Sequence, residues 1–99
     1  MTQVYLEQDG NRYTVACHDH AESSEGCAAV STLCCTLAGY LRNIDCRIHA
    51  EKIESGHVHI CYSGDCTEAQ AAFDMICVGF LQFVKSYPNE VHVDLVEIE

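Results

Sequence analysis

Proline occurs once in the 99 residues, at Pro88, and lysine and arginine together occur only five times. Against 15 acidic residues, that scarcity of cations leaves a net charge of −10. A surface of this sign repels phosphate, which excludes nucleic acid as a direct ligand, whereas a basic peptide or protein is attracted. No apolar run approaches the ~20 residues of a membrane span. Met1 to Gln8 carries Glu7 and has neither the cationic start nor the apolar stretch of a secretion signal. Cys-x-x-Cys pairs, internal repeats and low-complexity segments are also missing. The expectation is one compact domain over residues 1–99, cytoplasmic and without a membrane partner.

Hydrophobic residues make up 48% of the chain, and eight of its residues are cysteine. In a secreted protein of this size, eight cysteines would imply a disulfide framework. Without a secretion signal they read as reduced thiols. Cys34, Cys35, Cys46, Cys61 and Cys77 lie inside apolar patterns, where cysteine behaves as a small hydrophobe.

Val4-Tyr5-Leu6 opens a strand, and Asp9-Gly10-Asn11 is a hairpin turn signal. The returning strand, Arg12 to His18, alternates Tyr13, Val15 and Cys17 against Thr14, Ala16 and His18, so that His18 faces away from the core. A helix follows from about Glu25 to Arg42 with Ser24 as N-cap. Its apolar stripe runs Cys27, Val30, Cys34, Leu37 and Leu41, joined by Leu33 and Tyr40. Two strands, about Cys46 to Glu51 and His57 to Tyr62, are joined by a turn at Glu54-Ser55-Gly56. A second helix starts with a capping-box signal, Thr67 and Gln70, and stops before Pro88. Its core face is Ala69, Ala72, Phe73, Ile76, Cys77, Phe80 and Val84, while Met75, Val78, Leu81 and Phe83 lie on other faces; these need a second partner, the first helix or a neighbouring subunit, and a homodimer is the expectation. Val91 to Ile98 is the last strand. The order is ββαββαβ, an α+β fold with a mostly antiparallel five-stranded sheet and two helices on one face.

The chemistry concentrates between Asp19 and Ser31. A cysteine in the first turn of a helix, here Cys27, lies near the positive end of the macrodipole and near N–H groups without intrahelical partners. A histidine shortly upstream, His20, supplies a base or a cation, and together these activate a nucleophilic thiol. The same stripe also allows Cys27 to be simply the first core residue of the helix. Ser31, one turn on, lies on the same side of the helix, where it either bonds the thiol or a water or only packs.

The run His20-Ala21, a loop, then Cys27-Ala28-Ala29-Val30-Ser31 resembles the signature of the ribosomal-processing cysteine proteases, the Prp family. That family has Gly-His-Ala, a mobile glycine-bearing loop, and a Cys-Ala-Ala-Val-Ser helix start. Here Asp19 replaces the glycine and the loop is shorter. The resemblance implies the fold already read from the chain and a Cys27/His20 catalytic dyad. It also implies backbone N–H groups near 27 and 28 for the oxyanion, and a loop between the dyad residues that gates entry. The substrate it implies is the N-terminal extension of large-subunit ribosomal protein twenty-seven, or another basic peptide. Neither cofactor nor metal is called for.

Two alternatives remain at this level. Asp19 and the short loop also suit a relative with altered or lost activity that acts as a dimeric binding protein; Asp19 either crowds the site or accepts a hydrogen bond from His20. Cys17, His18, His20 and Cys27 are zinc-ligand types, but Cys17 and His18, adjacent in a strand, point to opposite faces. His49, His57 and His59 form an exposed cluster on the sheet, a pattern more often solvated than ligating.

Overall fold

The computed structural model describes residues 1–98. Its elements are β1 (Thr2–Asp9), β2 (Arg12–His18), α1 (Ser24–Leu41), β3 (Arg47–Glu54), β4 (His57–Ser63), α2 (Thr67–Ser86) and β5 (Val91–Ile98). The expected order is thus observed. The strands form one sheet in the order β3-β4-β2-β1-β5. Three of its pairings are antiparallel, and β1 with β5 is parallel. That parallel pair arises because α2 carries the chain back across the sheet, so β5 starts beside Thr2, the first residue of β1.

Alternation sorts the side chains. Val4 and Leu6, Tyr13, Val15 and Cys17, and Val58, Ile60 and Tyr62 point to the helices and are buried. Val30, Cys34, Leu37 and Leu41 of α1 and Ala69, Phe73, Ile76 and Phe80 of α2 complete a single core. The other face of the sheet carries no helix. Tyr13 stacks on Tyr62 with ring centroids 4.9 Å apart and leans on Phe73 at 5.2 Å. The Tyr62 hydroxyl, fully buried, donates to Ala69 O at 3.0 Å.

Several local expectations change. The α1 N-cap is Ser23 rather than Ser24, because Ser23 Oγ accepts from Gly26 N–H at 3.0 Å. The capping box at α2 does not form: Cys66 takes the cap position without a side-chain bond. Thr67 Oγ1 bonds Glu68, and Gln70 instead makes a reciprocal amide pair with Gln8 and accepts from the Tyr13 hydroxyl. Phe83 is core, packed edge-on against Tyr87. The strand from 47 extends to Glu54, three residues past its expected end, with a register irregularity between Ile48 and Ala50. Met75, Val78 and Leu81 of α2 are 75%, 56% and 50% exposed, so the outer apolar stripe read from the sequence exists. Among the described residues no helix is long and apolar enough to cross a membrane.

Burial pushes the Cys77 thiol from its ordinary 9.0 up to about 11, with Asp74 adding to it, and burial also raises Tyr62. The folded state therefore holds this proton more tightly than the unfolded chain does. The resulting stabilisation is complete below pH 9 and is lost as pH rises through 11. Urea titrations should give a midpoint that falls between pH 9 and 11, with a smaller fall in Cys77→Ala, whatever that variant loses at pH 7.

Candidate active site

β2 ends at His18, and the next residue turns the chain. Asp19 has φ +70°, a left-handed backbone that aspartate tolerates better than most residues but glycine adopts freely. Its N–H donates to Gly56 O in the β3–β4 turn at 3.0 Å. Gly56 also has positive φ, and a Cβ there would lie 2.6 Å from His20 Nε2. The His20 ring therefore rests directly on the glycine backbone. Ala21 is buried behind it, and Cys27 Sγ donates to Ala21 O at 3.6 Å.

These residues surround a pocket of about 310 Å³. Its walls include His20 and Asp19 from the loop, Cys27, Ser31 and Cys35 from α1, Glu54 at the end of β3, and Ser55 and Gly56 from the β3–β4 turn. All four site residues expected from the sequence, Cys27, His20, Ser31 and Asp19, thus face one cavity. Cys27 is half-buried, as the head of a stripe at its solvent end should be. His20 is exposed, and no hydrogen bond joins it to Cys27 in this structure.

The oxyanion expectation needs correction. Cys27 N–H donates to Ser23 O at 3.1 Å, and Gly26 N–H to Ser23 Oγ, so the N–H at 27 is taken by the helix itself. Ala28 lies one residue further inside. The N–H groups the helix start leaves without intrahelical partners are those of Ser24 and Glu25.

The zinc-type grouping is taken apart. Cys17 Sγ lies 4.0 Å from Cys34 Sγ in the core, and that hydrogen bond together with burial raises the Cys17 thiol far above its ordinary range. His18 faces the opposite side of the sheet, where its Nδ1 is 3.1 Å from His57 Nδ1. His49 instead bonds Ser63 Oγ at 2.7 Å.

One residue had no sequence signal. Glu90, just before β5, accepts from Ser23 N–H at 2.7 Å and from Ser23 Oγ–H at 2.6 Å. With its hydroxyl proton committed to Glu90, Ser23 Oγ is free to accept from Gly26 N–H. The carboxylate also complements the positive end of α1. The partners are 67 positions apart, so no local pattern marks the contact.

No protein-family model and no curated protein matches the chain. Solved structures do. The S. aureus ribosomal processing protease Prp, in complex with a covalently linked product peptide, aligns with a TM-score of 0.81 at 19% identity, over 96% of this chain and 99% of that one. The same protease with a substrate peptide gives 0.72 at 17%, over 96% and 99%. A Streptococcus mutans protein gives 0.76 at 20%, over 99% and 96%. At these identities the likeness shows a shared fold, and it runs over nearly the whole chain.

Two variants test this geometry. Asp19→Gly should stabilise the protein by about 1 kcal/mol by relieving the left-handed aspartate, read by urea denaturation. Gly56→Ala should cost about as much through its positive φ, and should shift the His20 ring resonances because the methyl displaces the ring. Separately, Glu90→Ala removes the acceptor of two charge-assisted hydrogen bonds and should lower stability by about 2 kcal/mol in the same assay.

The chain thus shares its fold with Prp over nearly its whole length, and Cys27 and His20 line one pocket within that fold.

Proposed function

We propose that the protein is a cysteine protease of Prp type, with Cys27 as nucleophile and His20 as general base and acid. The observation that carries this reading is the shared pocket, which gathers a half-buried first-turn cysteine and a loop histidine in a chain folded like a peptide-bound protease. His20 takes the Cys27 thiol proton, the thiolate sulfur bonds to the scissile carbonyl carbon, and the carbonyl electrons move to oxygen. On collapse the C–N bond breaks and His20 returns the proton to the leaving amine. Water, deprotonated by His20, then attacks the thioester, and the Cys27 sulfur leaves. The N–H groups of Ser24 and Glu25 are the nearest unclaimed donors for the oxyanion at the helix start.

His20 and Cys27 share no hydrogen bond, so the pair closes when substrate binds, through movement of the loop between them. Asp19 keeps the left-handed backbone that glycine would adopt, so its presence does not redirect the chain at His20. That supports the active reading over an inactive binding protein. Ser31 lines the pocket as a polar contact for substrate or water.

The substrate is a basic peptide, the N-terminal extension of large-subunit ribosomal protein twenty-seven, drawn by the net charge of −10. The protein works in the cytoplasm as a homodimer, joined through the apolar outer stripe of α2, Met75, Val78 and Leu81.

The test is cleavage of a peptide spanning the extension junction, followed by mass spectrometry. The native protein should cut at one bond, and Cys27→Ala and His20→Ala should each reduce turnover by about 10³-fold or more. Binding of the peptide without cleavage would instead establish the binding-protein reading, and cleavage that survives Cys27→Ala would overturn the assignment.

A further inference from the structure

The helix-free face of the sheet concentrates imidazole. His18 and His57 are cross-strand partners on β2 and β4. His59 follows on the same face of β4, and His92 of β5 is the register partner of Gln3, itself the partner of His18. Next to His57 in the register stands Glu54 of β3. Across the strands the row reads Glu54, His57, His18, Gln3, His92, in a protein whose net charge of −10 draws cations to its surface.

We infer that His18 and His57 form a chelating site for one divalent transition-metal ion, of the kind that favours imidazole nitrogen. The two Nδ1 atoms face each other at 3.1 Å with ring centroids 4.8 Å apart. Two nitrogens each about 2.05 Å from one ion stand about 2.9 Å apart at a right angle and about 3.3 Å apart at a tetrahedral angle, so the strands already hold the donors within the required range. Without an ion, the same geometry is a single Nδ1–H···Nδ1 hydrogen bond. To receive the ion, the donor imidazole moves that proton to its own Nε2, and both Nδ1 lone pairs are then free. The β2–β4 ladder fixes both backbones, so little ordering remains to be done on binding. Glu54 adds negative charge beside the site, although its carboxylate lies 3.8 Å from Lys52 Nζ.

No group of three or more His, Cys, Asp or Glu side chains is gathered to hold an ion among the described residues. The ion therefore keeps positions open for water, as a two-nitrogen surface chelate does. His18 points away from the helices, while His57 and Glu54 also border the Cys27 pocket, so the site adjoins that pocket with His18 as the donor outside it. It does not depend on the protease reading.

Nickel is the appropriate probe, because thiolates compete less well for Ni²⁺ than for zinc or Cu(I). NiCl₂ is titrated into the full chain by calorimetry and by NMR of the imidazole ring protons. The expected result is one ion per chain, with broadening strongest at His18 and His57 and weaker at His59. His18→Gln and His57→Gln should each weaken binding by at least the ~10-fold that loss of even an outer-shell partner costs. His59→Gln should retain it. Thermal melts of the ion-free variants show whether they remain folded, and added NiCl₂ should raise the melting temperature of the native chain alone. Absence of binding to the native chain, or binding that survives either substitution at 18 or 57, would overturn the inference.

Discussion

One backbone hydrogen bond, from Asp19 N–H to Gly56 O, determines where the chemistry can be. It forms only because both residues accept positive φ, Asp19 at +70° and Gly56 at +75°. That pairing pins the end of β2 to the β3–β4 turn and brings the His20 ring down onto a glycine, where a Cβ would displace it. From the other side, Glu90 secures Ser23 and hence the first turn of α1. His20 and Cys27 are thus held by two independent anchors, one at each end of the crossover between them.

On the proposed reading, this division suits a hydrolase that must admit a chain of residues. A sheet and a capped helix hold His20 and Cys27 on one pocket, and in the proposed mechanism the contact between them is completed when substrate binds. The helix start serves a double purpose. Its capped N–H groups, at Gly26 and Cys27, keep the turn in place, and the uncapped ones are what remains for stabilising developing charge.

Much of the architecture was legible in the chain because local periodicity carried it. The alternation of Tyr13, Val15 and Cys17, and the stripe Val30, Cys34, Leu37 and Leu41, each mark the face that is buried. The strand order and the parallel pairing of β1 with β5 were not legible, since period-two patterns say which face is inward but not which neighbour lies alongside. At the site, Cys27 and His20 were found from the five-residue helix start and the upstream histidine. Glu90 was not, because its contact spans the length of the protein. Neither was the loss of Cys27 N–H to Ser23 O, which depends on the cap falling at Ser23 and not at Ser24. Gln70 shows the same limit: a residue type suited to capping was drawn instead into a pair with Gln8 and Tyr13. Phe83 turned inward because α2 packs on a second surface that sequence periodicity alone cannot locate.

The central claim is that Cys27, among eight cysteines, is the activated one. The most direct measurement is alkylation of the native protein by iodoacetamide, with each cysteine followed by mass spectrometry, in the native chain and in His20→Ala. Cys35 serves as an internal reference, since it is exposed and lines the same pocket. Modification of Cys27 well ahead of Cys35, slowed when His20 is removed, is the result this account predicts. Equal rates at the two thiols, or a Cys27 rate indifferent to His20, would contradict it.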